Sequence, residues 1–329
     1  MIKQAVARRN FMMSMSNADK KKFYAKVLLF GEYSVILDGE AVTVPLKQFS
    51  GYFDFLANSS VSVISGKESN KKLRDFFTYL NSPGINRKFH YELDLYRLDD
   101  DLNCGMFFNS NIPQGYGAGS SGAMVAALFD HYSFENPISS EHTSPETLGL
   151  VRQQLALMES YFHGSSSGLD PLSSLLGKPF RLDGQKRISF PDLPLFSEPI
   201  EKDVFLIDTG REGDTLPLVN WFKEHVAKTT IDSELLKALN NQVVQAVLKK
   251  NMLFFDNFLL QLSVFQLENM KPMIPDVIRH LWQKGIDTGE WTLKLCGSGG
   301  GGFVLGFTDN YNRTKPEFED AGFKTSLLE

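Results

Sequence analysis

Cysteine is scarce: the 329 residues hold two, Cys104 and Cys296. They lie far apart and neither sits in a CxxC pair, which excludes a disulfide-stapled scaffold and a thiolate zinc site. They read as reduced, buried thiols in a reducing compartment. The six histidines are scattered, so no histidine-rich metal centre is indicated. Basic charge is also short. Lys and Arg total 34 against 39 Asp and Glu, a net charge of -5, and a general nucleic-acid binder needs the opposite balance. A local basic patch for a phosphate-bearing substrate stays open. Long apolar runs are missing too: none approaches the roughly 18 residues that span a bilayer. Residues 1–22 are basic and carry Met12, Met13 and Met15 without a secretory apolar core. They read as a disordered leader, and a cytoplasmic address follows.

What remains is the composition of a globular protein, 42% hydrophobic and 22% charged, long enough for two domains. Residues 25–30, 41–46 and 104–108 are short apolar runs that predict strands, and residues 89–95 alternate apolar and polar as a half-buried strand does. Ser144 and Pro145 start a helix whose apolar face carries Leu148, Val151, Leu155, Met158 and Phe162 and which ends near Gly164. The proline-bearing stretch 181–200 changes periodicity and marks a boundary near residue 195. Beyond it come a strand at 203–208, helices near 215–228, 232–249 and 251–270, and a fourth helix near 275–284 stopped by Gly285. Strands at 291–297 and 303–307 flank a glycine run.

Four segments carry chemistry. Residues 112–122, IPQGYGAGSSG, set Gly115, Gly117 and Gly119 and then Ser120 and Ser121 immediately before a helix. Unpaired N–H groups and the positive end of the helix dipole suit a phosphate there, and the serine hydroxyls reach phosphate oxygens or magnesium. The loop lacks the lysine of a Walker A motif, while a dinucleotide turn and a purely structural turn are the alternatives. Lys26 stands inside an apolar strand that ends in Gly31-Glu32, where a charge is costly unless it is paired or reaches water at a sheet edge. Asp170 follows the small-residue run after His163 and suits a proton acceptor for a hydroxyl. Glu159, eleven residues earlier on the preceding helix, suits magnesium. Glu159 and His163 also have zinc spacing, but no second histidine supports that metal. Gly297-Ser-Gly-Gly-Gly-Gly302 is costly in folding entropy and implies close backbone approach to a ligand or to the other glycine loop.

In this order the segments resemble the GHMP small-molecule kinase superfamily, the galactose, homoserine, mevalonate and phosphomevalonate kinases, over residues 24–307. Lys26–Gly39 resembles its first motif, Pro113–Ser121 its phosphate loop and Gly297–Gly302 its third. Ser166-Ser-Gly-Leu-Asp170 with Glu159 is most similar to mevalonate kinases. The resemblance implies an α+β fold in two parts. Residues 23–195 would form an ATP-binding domain like the second domain of ribosomal protein S5, and residues 196–329 a ferredoxin-like domain. It implies ATP and Mg²⁺ as cofactors and a small-molecule alcohol as substrate, most similar to mevalonate in isoprenoid biosynthesis. No nucleic acid or membrane is called for, and a homodimer is allowed. Asp170 and Lys26 would be catalytic. Pro113, Gly115, Gly117, Ala118, Gly119, Ser120, Ser121, Gly297, Gly299 and Gly300 would bind ATP, and Ser121 and Glu159 would hold the metal. Glu32, Tyr33 and Thr215 would face the substrate. Two positions depart from the mevalonate kinase pattern: Ala118 replaces the usual leucine, and Tyr33 replaces a histidine. Gly-Glu-Tyr is more usual in phosphomevalonate kinases, and Ser120–Ala123 leans the same way, whereas Phe303 stands where those enzymes carry an acid. Diphosphomevalonate decarboxylase and a non-catalytic ligand-binding relative are the rivals within the fold.

Overall fold

The computed structural model describes residues 20–57, 62–138, 143–193 and 202–328. The leader expected over 1–22 therefore lies, up to residue 19, outside the described residues. In chain order the elements are β1 (Phe23–Phe30), β2 (Ala41–Phe55), α1 (Val63–Leu80), α2 (Leu95–Asn103), β3 (Met106–Ser110), α3 (Ser120–Tyr132), α4 (Pro145–His163), α5 (Leu169–Leu176), β4 (Phe180–Leu182) and β5 (Ile188–Ser189). They continue with β6 (Asp203–Asp208), α6 (Thr215–His225), α7 (Thr230–Leu248), α8 (Met252–Asn269), α9 (Asp276–Thr288), β7 (Thr292–Leu295), β8 (Phe303–Thr308), α10 (Tyr311–Asp320) and β9 (Lys324–Leu327). Among the described residues no helix is long and apolar enough to cross a membrane.

The chain forms two compact units, each assembled from separate stretches of sequence. The first takes residues up to Ala25, Lys47–Ile112 and Gly119–Gly177. Its β2 segment pairs antiparallel with β3, Gly51 opposite Ser110 and Phe55 opposite Met106. Gly51 leaves room for the Phe108 ring, since a Cβ would stand 2.2 Å from Phe108 Cζ. Helices α3, α4 and α5 pack on one another. Helix α3 is apolar nearly all round and buries Ala123, Val125, Ala126, Leu128 and Phe129, as a helix in the middle of a unit must. Ser144 caps α4 by accepting the Thr147 N–H at 3.2 Å, and Gly164 ends it with φ 71°.

The second unit takes Lys26–Leu46, Pro113–Ala118 and Lys178–Glu329. Its sheet runs β7-β8-β6-β9, with every pairing antiparallel. Counted from β6 this is a β-α-β-β-α-β arrangement with the last strand beside the first, the ferredoxin-like pattern. The N-terminal part of β2 belongs here as well, pairing with β4 from Ala41–Leu182 to Thr43–Phe180.

Three sequence expectations give way. Cys104, expected to be buried, is exposed. Residues 89–95 form no strand; only Leu93 bridges, to Ser133. Asp94 accepts the Arg97 N–H at 3.0 Å and starts α2 at Leu95, so a capping side chain outcompetes a short alternation. Gly285 does not stop α9, which continues to Thr288 and ends at Gly289 with φ 71°. Gly285 is a packing glycine instead, since a Cβ there would lie 2.4 Å from Trp291 Nε1.

Candidate functional site

In the first unit, the chemistry-bearing residues gather where α3 begins. Gly119 takes a left-handed conformation, φ 75°, as the helix N-cap, and no side chain caps the first turn. The first-turn N–H groups of α3 are thus not closed off by a capping side chain. Ser121 Oγ donates to Glu159 Oε1 at 3.1 Å, and Ser166 Oγ donates to Glu159 Oε2 at 2.5 Å. Glu159 is only 3% exposed. Ser166 in turn accepts the Gly168 N–H at 2.9 Å, and Arg152 Nη1 donates to the Ser167 carbonyl at 2.7 Å. The small-residue run is therefore folded against α4.

Asp170 lies in the first turn of α5, and its backbone meets α3 at Gly122. A Cβ on Gly122 would stand 2.8 Å from Asp170 C and 2.9 Å from Asp170 Cβ. That contact brings Asp170 to the turn of α3 that holds Ser121. Gly122→Ala should therefore lower stability by about 1–3 kcal/mol, because the obstacle is backbone and has no rotamer to turn away. Urea unfolding checks this, and an unchanged midpoint would mean the two helices part without cost.

His163, one helical turn from Glu159 on α4, reaches the same point: its Nε2 is 3.0 Å from Ser121 Oγ. The i, i+4 spacing of Glu159 and His163 is the sequence signal for this contact. Among the described residues no three His, Cys, Asp or Glu side chains group as in a metal centre.

In the second unit three backbone segments interleave. A Cβ on Gly117 would stand 3.0 Å from Cys296 O, one on Gly297 2.9 Å from Gly117 Cα, and one on Gly302 2.4 Å from Tyr116 Cα. Segment 209–215 completes the weave. Gly213 N–H donates to Gly115 O at 2.8 Å, and Gly302 N–H to Arg211 O at 2.6 Å. Much of the glycine content of 115–117 and 297–302 is thus spent on loop-to-loop contact. Gly300 meets the side chain of Leu218 instead, a Cβ there standing 2.7 Å from Leu218 Cδ1. Pro113 leads the loop in and Ala118, buried, closes it, its carbonyl accepting the Lys26 N–H at 3.0 Å.

Lys26 is 3% exposed, so the reading of an edge-strand lysine reaching water fails. Glu32 is 4% exposed and pairs through Oε2 with Lys294 Nζ at 2.7 Å, Lys294 itself having no exposed surface. Glu32 Oε1 is buried with no hydrogen-bond partner. Burial pushes the Glu32 carboxyl above its ordinary range, opposed first by Lys294 and more weakly by Lys26. Lys294 was not singled out in sequence. Tyr33 has φ 61° and lies against the Phe222 ring at 4.6 Å. Its hydroxyl donates to Ser298 O at 2.7 Å and is held above the usual phenol range by burial and then by Glu32. Thr215 Oγ1 lies 3.0 Å from Ser298 Oγ. Two residues expected at the substrate thus converge on Ser298 in the glycine run.

No protein-family model and no curated protein matches the sequence. Solved structures match in fold. An L. major mevalonate kinase in complex with R-mevalonate aligns over 92% of this chain and 90% of its own, at 15% identity and TM-score 0.58. A Streptococcus pneumoniae phosphomevalonate kinase in complex with phosphomevalonate and AMPPNP aligns over 94% and 99%, at 14% identity and TM-score 0.59. A Lactococcus lactis galactokinase complexed with galactose aligns over 100% and 98%, at 12% identity and TM-score 0.60. The chain has the two-part α+β fold of these GHMP kinases, as the sequence motifs implied.

Proposed function

We propose that this chain is an ATP-dependent kinase that transfers a phosphoryl group to an alcohol hydroxyl, with mevalonate as the acceptor. The observation that carries the reading is the gathering of the Ser121 hydroxyl, the buried Glu159 carboxylate and Asp170 at the uncapped start of α3. Hydroxyl and carboxylate oxygens are the donor set a hard divalent cation takes, and an uncapped helix start suits phosphate.

In this reading the backbone N–H groups of Gly115–Ser121 hold the phosphates of ATP, with Pro113 and Ala118 fixing the ends of the loop. Gly297, Gly299 and Gly300 border the same nucleotide. Ser121 and Glu159 hold Mg²⁺. Mg-ATP, when bound, supplies the phosphoryl group and part of the charge neutralisation its transfer needs. Asp170 orients the acceptor hydroxyl and takes its proton. Lys26 offers an ammonium toward the charge that develops on transfer. Glu32, Tyr33 and Thr215 form the acceptor side, where Tyr33 presents its ring because its hydroxyl proton is committed to Ser298. The work is positioning and electrostatics, which is what phosphoryl transfer asks of a protein.

Phosphomevalonate is the second acceptor to consider, favoured by Tyr33 after Gly31-Glu32 and by Ser120–Ala123. Release of ADP from Mg-ATP, measured with mevalonate, phosphomevalonate, diphosphomevalonate, galactose and homoserine in parallel, decides between them. Turnover with mevalonate alone is the expected result. Turnover with phosphomevalonate makes Tyr33 the better guide to acceptor choice, and carbon dioxide released with ADP from diphosphomevalonate identifies a decarboxylase. ATP bound without turnover on any acceptor would overturn the mevalonate assignment.

A further inference from the structure

We propose that His163 donates an imidazole nitrogen to the divalent cation held by Ser121 and Glu159, so that this site prefers Mn²⁺ and similar transition cations to Mg²⁺. The inference rests on the cation site proposed above and specifies its chemistry. Its first support is spacing. An octahedral cation with bonds of about 2.1 Å places neighbouring ligand atoms about 3.0 Å apart, the bond length multiplied by the square root of two. Ser121 Oγ is 3.1 Å from Glu159 Oε1 and 3.0 Å from His163 Nε2. Ser121 therefore sits at a shared corner with both neighbours at ligand-edge distance. The second support is the helix. Glu159 and His163 are four residues apart on α4, one turn apart on one face, so both side chains are delivered by the same rigid element.

Exposure gives the third support. Glu159 is 3% exposed and accepts from the Ser121 and Ser166 hydroxyls. His163 is exposed, so the open side of the set remains available for water and phosphate oxygens. With no third His, Cys, Asp or Glu grouped there among the described residues, the protein contributes two oxygens and one nitrogen. Mg²⁺ takes oxygen ligands and keeps its waters, whereas a nitrogen ligand favours first-row transition cations, least for Mn²⁺ and more for Fe²⁺, Ni²⁺, Cu²⁺ and Zn²⁺. Ser121 gives its single proton to Glu159, so without a cation its bond to His163 is donated by Nε2–H, and the other tautomer, with the proton on Nδ1, leaves Nε2 free to bind a cation.

The test is pulsed electron paramagnetic resonance on Mn²⁺ added to the full-length protein. Echo modulation from a directly bound nitrogen is expected, and it should change from the ¹⁴N to the ¹⁵N pattern when histidine alone is ¹⁵N-labelled, a comparison that needs no variant. His163→Gln should abolish the coupling. It should also weaken Mn²⁺ binding by about tenfold or more, the scale on which ligand-shell changes act, while Mg²⁺ affinity measured by competition changes much less. Mn²⁺ that binds, is lost in Glu159→Gln, and yet shows no histidine coupling overturns this inference and leaves the kinase reading standing. Mn²⁺ binding indifferent to Glu159→Gln overturns both.

Discussion

Asp170→Asn should lower the turnover number by about 10²–10⁴-fold, the range a positioned proton acceptor contributes, or roughly 3–5 kcal/mol of barrier. The nucleotide affinity should hardly move. The substitution keeps the shape of the side chain and removes its charge and basicity. Gly122 meets Asp170 C and Pro171 N, backbone atoms that the substitution leaves in place, so α3 and α5 should stay packed. Asp170 also lies in the first turn of α5, where a carboxylate interacts favourably with the helix dipole by about 0.3–1 kcal/mol. The stability cost should therefore be small beside the kinetic one. Steady-state kinetics with saturating Mg-ATP, paired with binding of a fluorescent ATP analogue, separates the two effects. A variant that keeps more than about a tenth of the activity has lost under ~1.4 kcal/mol, which is too little for a proton acceptor, and Asp170 would then be a structural cap.

The residues that sequence reading found are those whose signal is local. Ser144 and Pro145 announce α4 because a cap and a first-turn proline act within one turn. Gly115, Gly117 and Gly119 all have positive φ, a conformation their residue type alone makes cheap. What escaped depends on partners far away in the chain. The burial of Glu159 depends on Ser121, 38 positions away, and on Ser166, both of which donate to it. The alternation at 89–95 is a genuine pattern, but it competes with a cap at Asp94 that acts over three residues. Gly285 reads as a stop, yet its lack of a side chain serves Trp291. Lys294 is the instructive omission. Like Lys26, Lys294 stands in an apolar segment, WTLKLCG, where a charge must be paired, and the fold supplies the partner in Glu32, 262 positions away.

That pair yields the second large effect. Lys294→Met should destabilise the protein by about 3–5 kcal/mol near neutral pH, because it leaves the Glu32 carboxylate buried without its main partner. Glu32 has one oxygen on Lys294 and the other without a hydrogen bond, and the weaker attraction of Lys26 remains. The loss should depend on pH with a definite sign. Removing Lys294 removes the largest influence that lowers the Glu32 pKa, so burial raises it further. The folded variant then binds a proton more tightly than the unfolded chain, whose carboxyl titrates at its ordinary value of 4.5. Stability carried by the protonated form is fully present below that value and is lost as pH rises through the folded pKa. Lys294→Met should therefore be closest to the parent protein in mild acid and furthest from it above neutrality. Adding Glu32→Gln removes the titrating group. The double variant should lose this extra pH slope and recover part of the stability at neutral pH, although two buried polar groups remain to be satisfied. Urea midpoints of the three proteins across pH 5–8 read both effects. A single variant equally weakened at every pH would show that Lys294 contributes packing and its hydrogen bond to Leu295 O, at 2.6 Å, and that Glu32 relaxes toward another partner.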